Sequence, residues 1–379
     1  MNGRTGTSPG HILMTADTVG GVWTYAMDLC AELATYGIRV SLATMGEPMR
    51  PHQRMQAASI PHLDVYESTF RLEWMEDPWG DVDAAGDWLL ELQRRTGADT
   101  VHLNGYVHAA LPWRVPVVVV AHSCVLSWWR AVKGEDAPDR LQTYRQRVAR
   151  GVREADAVVA PSAWMLDQVR LHYGLPQPGV VIPNARGPLF TPAAKRDFVF
   201  SCGRIWDQAK NIGCLCGAAP LLKWPVAIAG DLKHPDGGSL LLSHVRLLGA
   251  LEQRQVAEWM AMAGIYALPA HYEPFGLSAL EAALSGCALV LGRIGSLQEI
   301  WGDSALYVSP DDPGELVAAV NGLVGNAELR KMLSERARRH ALTYTTERMA
   351  AGYLDAYALA QRRCEQKSAA GLLLEKSCA

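Results

Sequence analysis

The 379-residue chain is 49% apolar and 20% charged, with a formal net charge of −3. That balance excludes long disorder and lacks the basic excess that nucleic-acid binding or strong adhesion to an anionic membrane needs. The length exceeds what one hydrophobic core serves, which predicts two domains.

Strand-like apolar runs follow one another with helical segments between them: HILMTA (11–16), RVSLAT (39–44), TVHLNG (100–105), PVVVVAHS (116–123) and AVVAPS (157–162). This alternation reads as βα units and a parallel sheet. Turn formers cluster from Pro183-Asn184 through Gly187-Pro188 to Pro192 and mark a boundary. A second series follows: DFVFSCGR (197–204), PVAIAGD (225–231), VRLLG (245–249), GIYALP (264–269), CALVLG (287–292) and ALYVSP (305–310). Residues 311–343 read as two helices, with Asp312 as N-cap before Pro313. The expected organisation is an N-terminal Rossmann-like domain over 1–185, a second over 186–345, and a C-terminal piece over 346–379. In that last piece a helix over Thr346–Arg363 crosses back to the first domain, and the tail from Cys364 is a frayed end. Two doubly wound α/β domains would present their strand ends across a cleft, the default ligand site.

The longest aliphatic run, Val115 to Ala121, is too short to span a bilayer, and MNGRTGTSPG has no signal-peptide core, so the expected location is cytoplasmic. Peripheral contact at the inner membrane face stays open, because a small amphipathic patch is invisible at this level. Eight cysteines, without paired CxxC spacing, read as reduced thiols, mostly in cores.

The stretch HYEPFGLSALEAALSGCALV (271–290) carries Glu273 in a loop and Glu281 eight positions later, about one turn into a small-residue helix. With the helix starting near Gly276, the N–H groups at Phe275, Gly276 and Leu277 offer an anion site, flanked by the two carboxylates. One acid complementing the helix dipole, plus one solvated Glu, fits the same spacing. Arg204 and Lys210, after the strand FVFSC, could serve a developing phosphate charge or form a solvated pair. Gly20-Gly21 either lets backbone amides approach an anion or makes a tight turn. The stretch DTVGGVWTY lacks GxGxxG, which disfavours a nicotinamide dinucleotide.

Taken together, EPFGLSALE, GRIWDQAKN (203–211), the Gly-Gly loop and helix of 15–44, VIPNA (181–185) and AHSCVLSWW (121–129) resemble retaining glycosyltransferases of family 4, of the GT-B class. The resemblance runs in order from about 11 to 360. It implies a fold of two Rossmann-like domains facing across a cleft, with a C-terminal helix returning to the first. It also implies transfer of a hexose from a nucleotide sugar, most readily a UDP-sugar, to a carbohydrate or glycolipid acceptor.

In that reading Arg204 and Lys210 neutralise the departing diphosphate, Glu273 binds the donor sugar and Glu281 the ribose hydroxyls. His122 lies near the reacting face, and Gly20, Gly21, Leu251, Phe275, Gly276 and Leu277 complete the donor site. Arg204 and Lys210 are six apart where the family more commonly shows five, so the loop IWDQA is expected to bulge outward, with Asp207 contacting Lys210 or solvent. Candidate acceptor residues are Trp23, His102, Asn104, Ser123, Trp128, Trp129 and Arg130, with His108 less specific; indole faces suit sugar C–H surfaces. Asp81-Val-Asp83 resembles a metal-binding DxD, but its polar setting before a helix reads as an N-terminal cap, and no metal or cofactor is expected. A GT-B sugar-nucleotide epimerase and a non-catalytic nucleotide-sugar binder are the alternatives. A phosphorylase-like reading fails on size and on the lack of a recognisable pyridoxal phosphate lysine motif.

Overall fold

The computed structural model describes residues 8–232 and 243–377, the last seven as backbone only. The chain forms two compact units. One comprises residues up to Leu126, Ala137–Pro183 and the segment from Thr346 onward; the other comprises Ser127–Asp136 and Asn184–Thr345.

The first unit is built from β1 (His11–Asp17), α1 (Gly21–Thr35), β2 (Arg39–Met45), α2 (Pro51–Ala58), β3 (Leu63–Glu67), α3 (Trp79–Thr96), β4 (Thr100–Leu103) and β5 (Val117–Val120). Helix α4 (Val125–Lys133) starts in this unit and continues into the other, and α5 (Gln142–Glu154), β6 (Ala157–Ala160), α6 (Ala163–Tyr173) and β7 (Val180–Val181) follow. Its seven parallel strands run in the order β3-β2-β1-β4-β5-β6-β7. Strands β4, β5 and β6 are buried along their whole length, which is why β5 and β6 read as unbroken apolar runs rather than as alternation.

The second unit contains β8 (Arg196–Cys202), α7 (Ile212–Ala218), β9 (Val226–Ala229), β10 (Arg246–Leu247), α8 (Gln253–Met262), β11 (Ala263–Leu268), α9 (Leu277–Leu284), β12 (Ala288–Gly292), α10 (Gly295–Trp301), β13 (Leu306–Val308), α11 (Pro313–Gly325) and α12 (Ala327–Ala341). Its six parallel strands run β10-β9-β8-β11-β12-β13, with a core on each face of the sheet. Asp312 caps α11 as the sequence predicts, its Oδ1 accepting from the amides of Gly314 (2.8 Å) and Glu315 (3.1 Å), with Pro313 at the first position.

The last helix, α13 (Thr346–Ser377), is longer than its sequence signal. The segment from Cys364 expected to fray is helical through Ser377, anchored by Lys367, whose Nζ reaches the Asp156 carboxylate (2.8 Å) and the Glu154 carbonyl (2.8 Å). Within the first unit α13 packs on α1 and on β5 and β6, burying Met349, Tyr353, Leu354 and Tyr357. No disulfide is present among the described residues: Cys30, Cys124, Cys202, Cys216 and Cys287 are buried thiols, and Cys378 lies outside those residues. No helix among them is long and apolar enough to cross a membrane.

Candidate functional site

In each sheet the strand order reverses at one place, between β1 and β4 in the first and between β8 and β11 in the second. Loops leaving the carboxyl ends of such strand pairs are where open α/β sheets hold ligands. In the second unit these loops carry Gly203 to Lys210 and Pro269 to Gly276.

The loop after β8 does not bulge outward. Ile205 is 2% exposed and donates its amide to the Asp231 carbonyl (3.0 Å); Asp207 and Ala209 are also buried. The extra residue is absorbed in a tight turn, with Lys210 N–H bonded to the Asp207 carbonyl (2.9 Å). Asp207 organises this turn: its Oδ1 accepts from the Ala209 amide (3.0 Å) and from Trp128 Nε1 (3.1 Å), and its Oδ2 from Arg204 (2.8 Å). Burial alone would push its carboxyl up, but Arg204 and Lys210, aided by those hydrogen bonds, outweigh burial and hold it below the usual range. The Arg204 guanidinium also lies over the Trp206 ring, 5.3 Å from its centre.

After β11, the chain brings Glu273 to Lys210 as an ion pair with both groups largely buried. Ser296 Oγ donates to the Glu273 carbonyl (2.6 Å) and fixes this loop to α10. Gly276 sits in the left-handed region (φ 89°) and lets the chain turn into α9, which starts without a side-chain cap and without an acid in its first turn. Its backbone amides are therefore not neutralised locally by a side chain. The side chain of Phe275 is 3% exposed and meets Tyr344 edge-on, and Leu277 packs on the same core, so both side chains belong to the core. Leu251 likewise packs, partly buried, against that core just ahead of α8.

Glu281, in α9, is 9% exposed and pairs with Arg186, Nε to Oε1 at 2.7 Å. Arg186 was not among the residues singled out from the sequence. The two positions are 95 residues apart, and nothing in the turn VIPNARG marks its arginine as the partner of an acid.

In the first unit, Gly20 (φ 126°) is the N-cap of α1 and Gly21 its first residue. Asn104, at the end of β4, is locked by Thr15 of β1: its amide nitrogen Nδ2 donates to the Thr15 carbonyl (2.6 Å), and its backbone N–H to Thr15 Oγ1 (2.9 Å). The Asn104 Oδ1 therefore faces two imidazoles, His122 Nε2 at 2.8 Å and His102 Nε2 at 3.2 Å. Burial pushes both rings down to about 3, His122 further disfavoured as a cation by His102, whereas the Asn104 contact works the other way on His102. A neutral ring that donates from Nε2 carries its lone pair on Nδ1, so His122 is a hydrogen-bond acceptor at Nδ1. His102 accepts from the Tyr357 hydroxyl at Nδ1 (2.8 Å), and its Nε2 also meets the Tyr25 hydroxyl at 3.2 Å.

Several acceptor candidates are placed elsewhere. His102 is 0% exposed and supports Asn104 from within the core. Trp23 is 5% exposed and its indole N–H is bonded to Gln56 (2.9 Å), so it is a core residue. His108 is buried, bonded to the Val82 carbonyl (2.9 Å). Trp128, Trp129 and Arg130 group with the second unit instead of the first. There Trp128 supports Asp207, and Arg130 is exposed at 3.9 Å from Asp136. Ser123 is exposed and its carbonyl accepts from Tyr106 (2.8 Å). Asp81 lies in the first turn of α3, whose N-cap position is Pro78, and accepts from the Arg71 amide (2.9 Å); Asp83 pairs with Arg147. Asp81 therefore serves the helix start without being its cap.

Comparison with known proteins shows the family and the fold. Residues 19–186 match the family model Glycosyltransferase Family 4, and residues 196–326 match Glycosyl transferases group 1. A D-inositol 3-phosphate glycosyltransferase 2 of Catenulispora acidiphila is 33% identical over 93% of this chain and 92% of its own. A D-inositol 3-phosphate glycosyltransferase of Xylanimonas cellulosilytica is 26% identical over 94% and 95%. Among solved structures, a sucrose-phosphate synthase from Thermosynechococcus elongatus superposes with a TM-score of 0.76 at 17% identity, covering 92% of this chain and 98% of that one. Anabaena Alr3699/HepE in complex with UDP-glucose does so with a TM-score of 0.71 at 17% identity, covering 95% and 99%. With cations and carboxylates gathered on the loops at the carboxyl ends of β8 and β11, the chain belongs to the group 1, family 4 glycosyltransferases of GT-B fold and is a glycosyltransferase.

Proposed function

We propose that this glycosyltransferase is a retaining, metal-independent enzyme that transfers a hexose from a UDP-sugar to a carbohydrate or glycolipid acceptor. The carrying observation is the set of Arg204, Lys210, Glu273 and Glu281 on adjacent segments of the second unit. Departure of a nucleoside diphosphate builds negative charge on its phosphate oxygens. Arg204, Lys210 and the uncapped start of α9 supply fixed positive charge and amide dipoles there, the role a divalent cation plays in metal-dependent transferases. Glu273 accepts from donor-sugar hydroxyls once Lys210 turns to phosphate, and Glu281 accepts from the vicinal ribose hydroxyls. The complex of the Anabaena relative with UDP-glucose supports uridine as the base.

In the reaction the acceptor hydroxyl attacks the anomeric carbon on the face the diphosphate leaves. The carbon–oxygen bond to phosphate breaks, the glycosidic bond forms, and the hydroxyl proton passes to the departing phosphate oxygen. Glu273, bound to Lys210, is a sugar ligand in this scheme and not a nucleophile.

Purified protein incubated with UDP-, GDP- and ADP-sugars in the presence of EDTA should release UDP from one donor, with release lost in Glu281→Ala. Lys210→Ala should lower turnover by about 10²- to 10³-fold, as expected for one lost donor to a developing oxyanion. Absence of both release and nucleotide binding overturns the proposal. Binding without turnover points to a missing acceptor or to a nucleotide-sugar binder, and conversion of the donor into its epimer identifies an epimerase.

A further inference from the structure

We infer that Arg186 is a positioning residue of the donor site, holding the Glu281 carboxylate in the one orientation that receives the ribose hydroxyls. This rests on the reading of Glu281 as the ribose ligand. Arg186 follows Asn184 and Ala185 in the turn that opens the second unit, and only 7% of it is exposed. Its guanidinium plane is set from one side by the Phe190 ring, 5.0 Å away and itself 4% exposed. From that position Nε meets Glu281 Oε1 at 2.7 Å, with the two side chains 3% and 12% exposed.

A carboxylate this far from water is held as an anion only where a fixed partner compensates it. A planar guanidinium, stacked on an aromatic ring, also fixes direction, which a flexible ammonium does not. The Arg186 contact is an ion pair through Oε1 of Glu281, and a carboxylate offers roughly four acceptor positions, so the pairing is compatible with binding a vicinal diol. Glu281 sits on a short helix in which Ala279, Leu280, Ala282, Ala283 and Leu284 are apolar and buried, which anchors its backbone in the core.

The test is calorimetric binding of UDP, GDP and ADP, followed for the tightest of them by its 2′-deoxy counterpart. The proteins are wild type, Glu281→Gln, Arg186→Met and Arg186→Lys. Wild type should prefer the ribonucleotide by about 10-fold or more, the scale of a hydrogen bond to a charged group. Arg186→Met should lose that preference while binding the deoxynucleotide nearly as wild type does, and Arg186→Lys should recover part of it. A wild type without preference overturns the ribose reading and the inference with it. A wild type with preference that Glu281→Gln abolishes and Arg186→Met keeps overturns the inference alone. Should Arg186→Met fail to fold, the comparison of Arg186→Lys, Glu281→Gln and their double variant decides: additive losses of ribose preference overturn the role, and coupled losses establish it.

Discussion

His102 illustrates how one buried ring governs a wider response. It is 0% exposed, and burial lowers it to about 3, so in the folded protein it stays neutral through the range where an unfolded histidine, near 6.5, gains its proton. The unfolded state therefore binds the extra proton first. Stability is fully present above about 6.5 and falls as pH drops from there toward 3, by roughly 1.4 kcal/mol per pH unit for this ring. Urea midpoints followed from pH 7 to pH 4.5 should show the decline. In His102→Gln, which keeps hydrogen-bonding capacity without a titrating ring, the slope should be shallower by about that amount; an unchanged slope would mean the ring takes up its proton while folded. His122, which shares Asn104 Oδ1 with this ring and is likewise lowered to about 3 by burial, adds a decline of the same sign.

At the scale of elements, the loop that carries Arg204 depends on how closely two strand ends approach. A Cβ built on Gly230, after β9, would lie 1.8 Å from the Gly203 carbonyl oxygen, at a φ of 149° that side chains rarely adopt. Gly230→Ala should destabilise the second unit by about 1–3 kcal/mol and weaken nucleotide binding through the displaced β8 loop. Gly213→Ala in α7, where a Cβ meets nothing within 4 Å, is the control and should be neutral or stabilising by about 0.4–1 kcal/mol. Denaturant unfolding together with nucleotide titration measures both.

The same loop shows what the sequence could and could not reveal. Arg204, Lys210, Glu273 and Glu281 stand out because charged residues after a buried strand or inside a small-residue helix break an apolar pattern. Their partners were invisible: Trp128 to Asp207 and Arg186 to Glu281 join segments 79 and 95 residues apart, which periodicity does not encode. Eleven strands were legible as apolar runs, whereas β3, half-exposed along LDVYE, and the two-residue β7 carry too little hydrophobic signal. On Trp23 and His102 a polar ring atom looks in the sequence like a ligand contact, whereas in the structure Gln56 and Tyr357 bond those atoms within the core.

Across the whole molecule, the first unit is completed by the end of the chain. Tyr353, Leu354 and Tyr357 of α13 are buried, each contributing on the order of 1.5–3 kcal/mol of apolar burial. Removing residues after Thr345 therefore withdraws an amount comparable with the whole stability of a typical domain. Limited proteolysis of that truncated chain should digest residues 8–126 and 137–183 while 127–136 and 184–345, with cores on both faces of their own sheet, stay protected and still bind nucleotide. A first unit that resists protease without α13 would contradict this account.

Timing on the ribosome follows from the same chain order. Residues 184 to 345 are made after the seven strands of the first sheet and before α13, so 162 residues separate that sheet from the helix that covers it. At roughly 5–20 residues per second, the nascent sheet waits on the order of ten to thirty seconds with the α13-facing surface of α1, β5 and β6 open. The unit second in sequence thus has all its residues first, and the interval is the period in which the newborn chain most needs a chaperone.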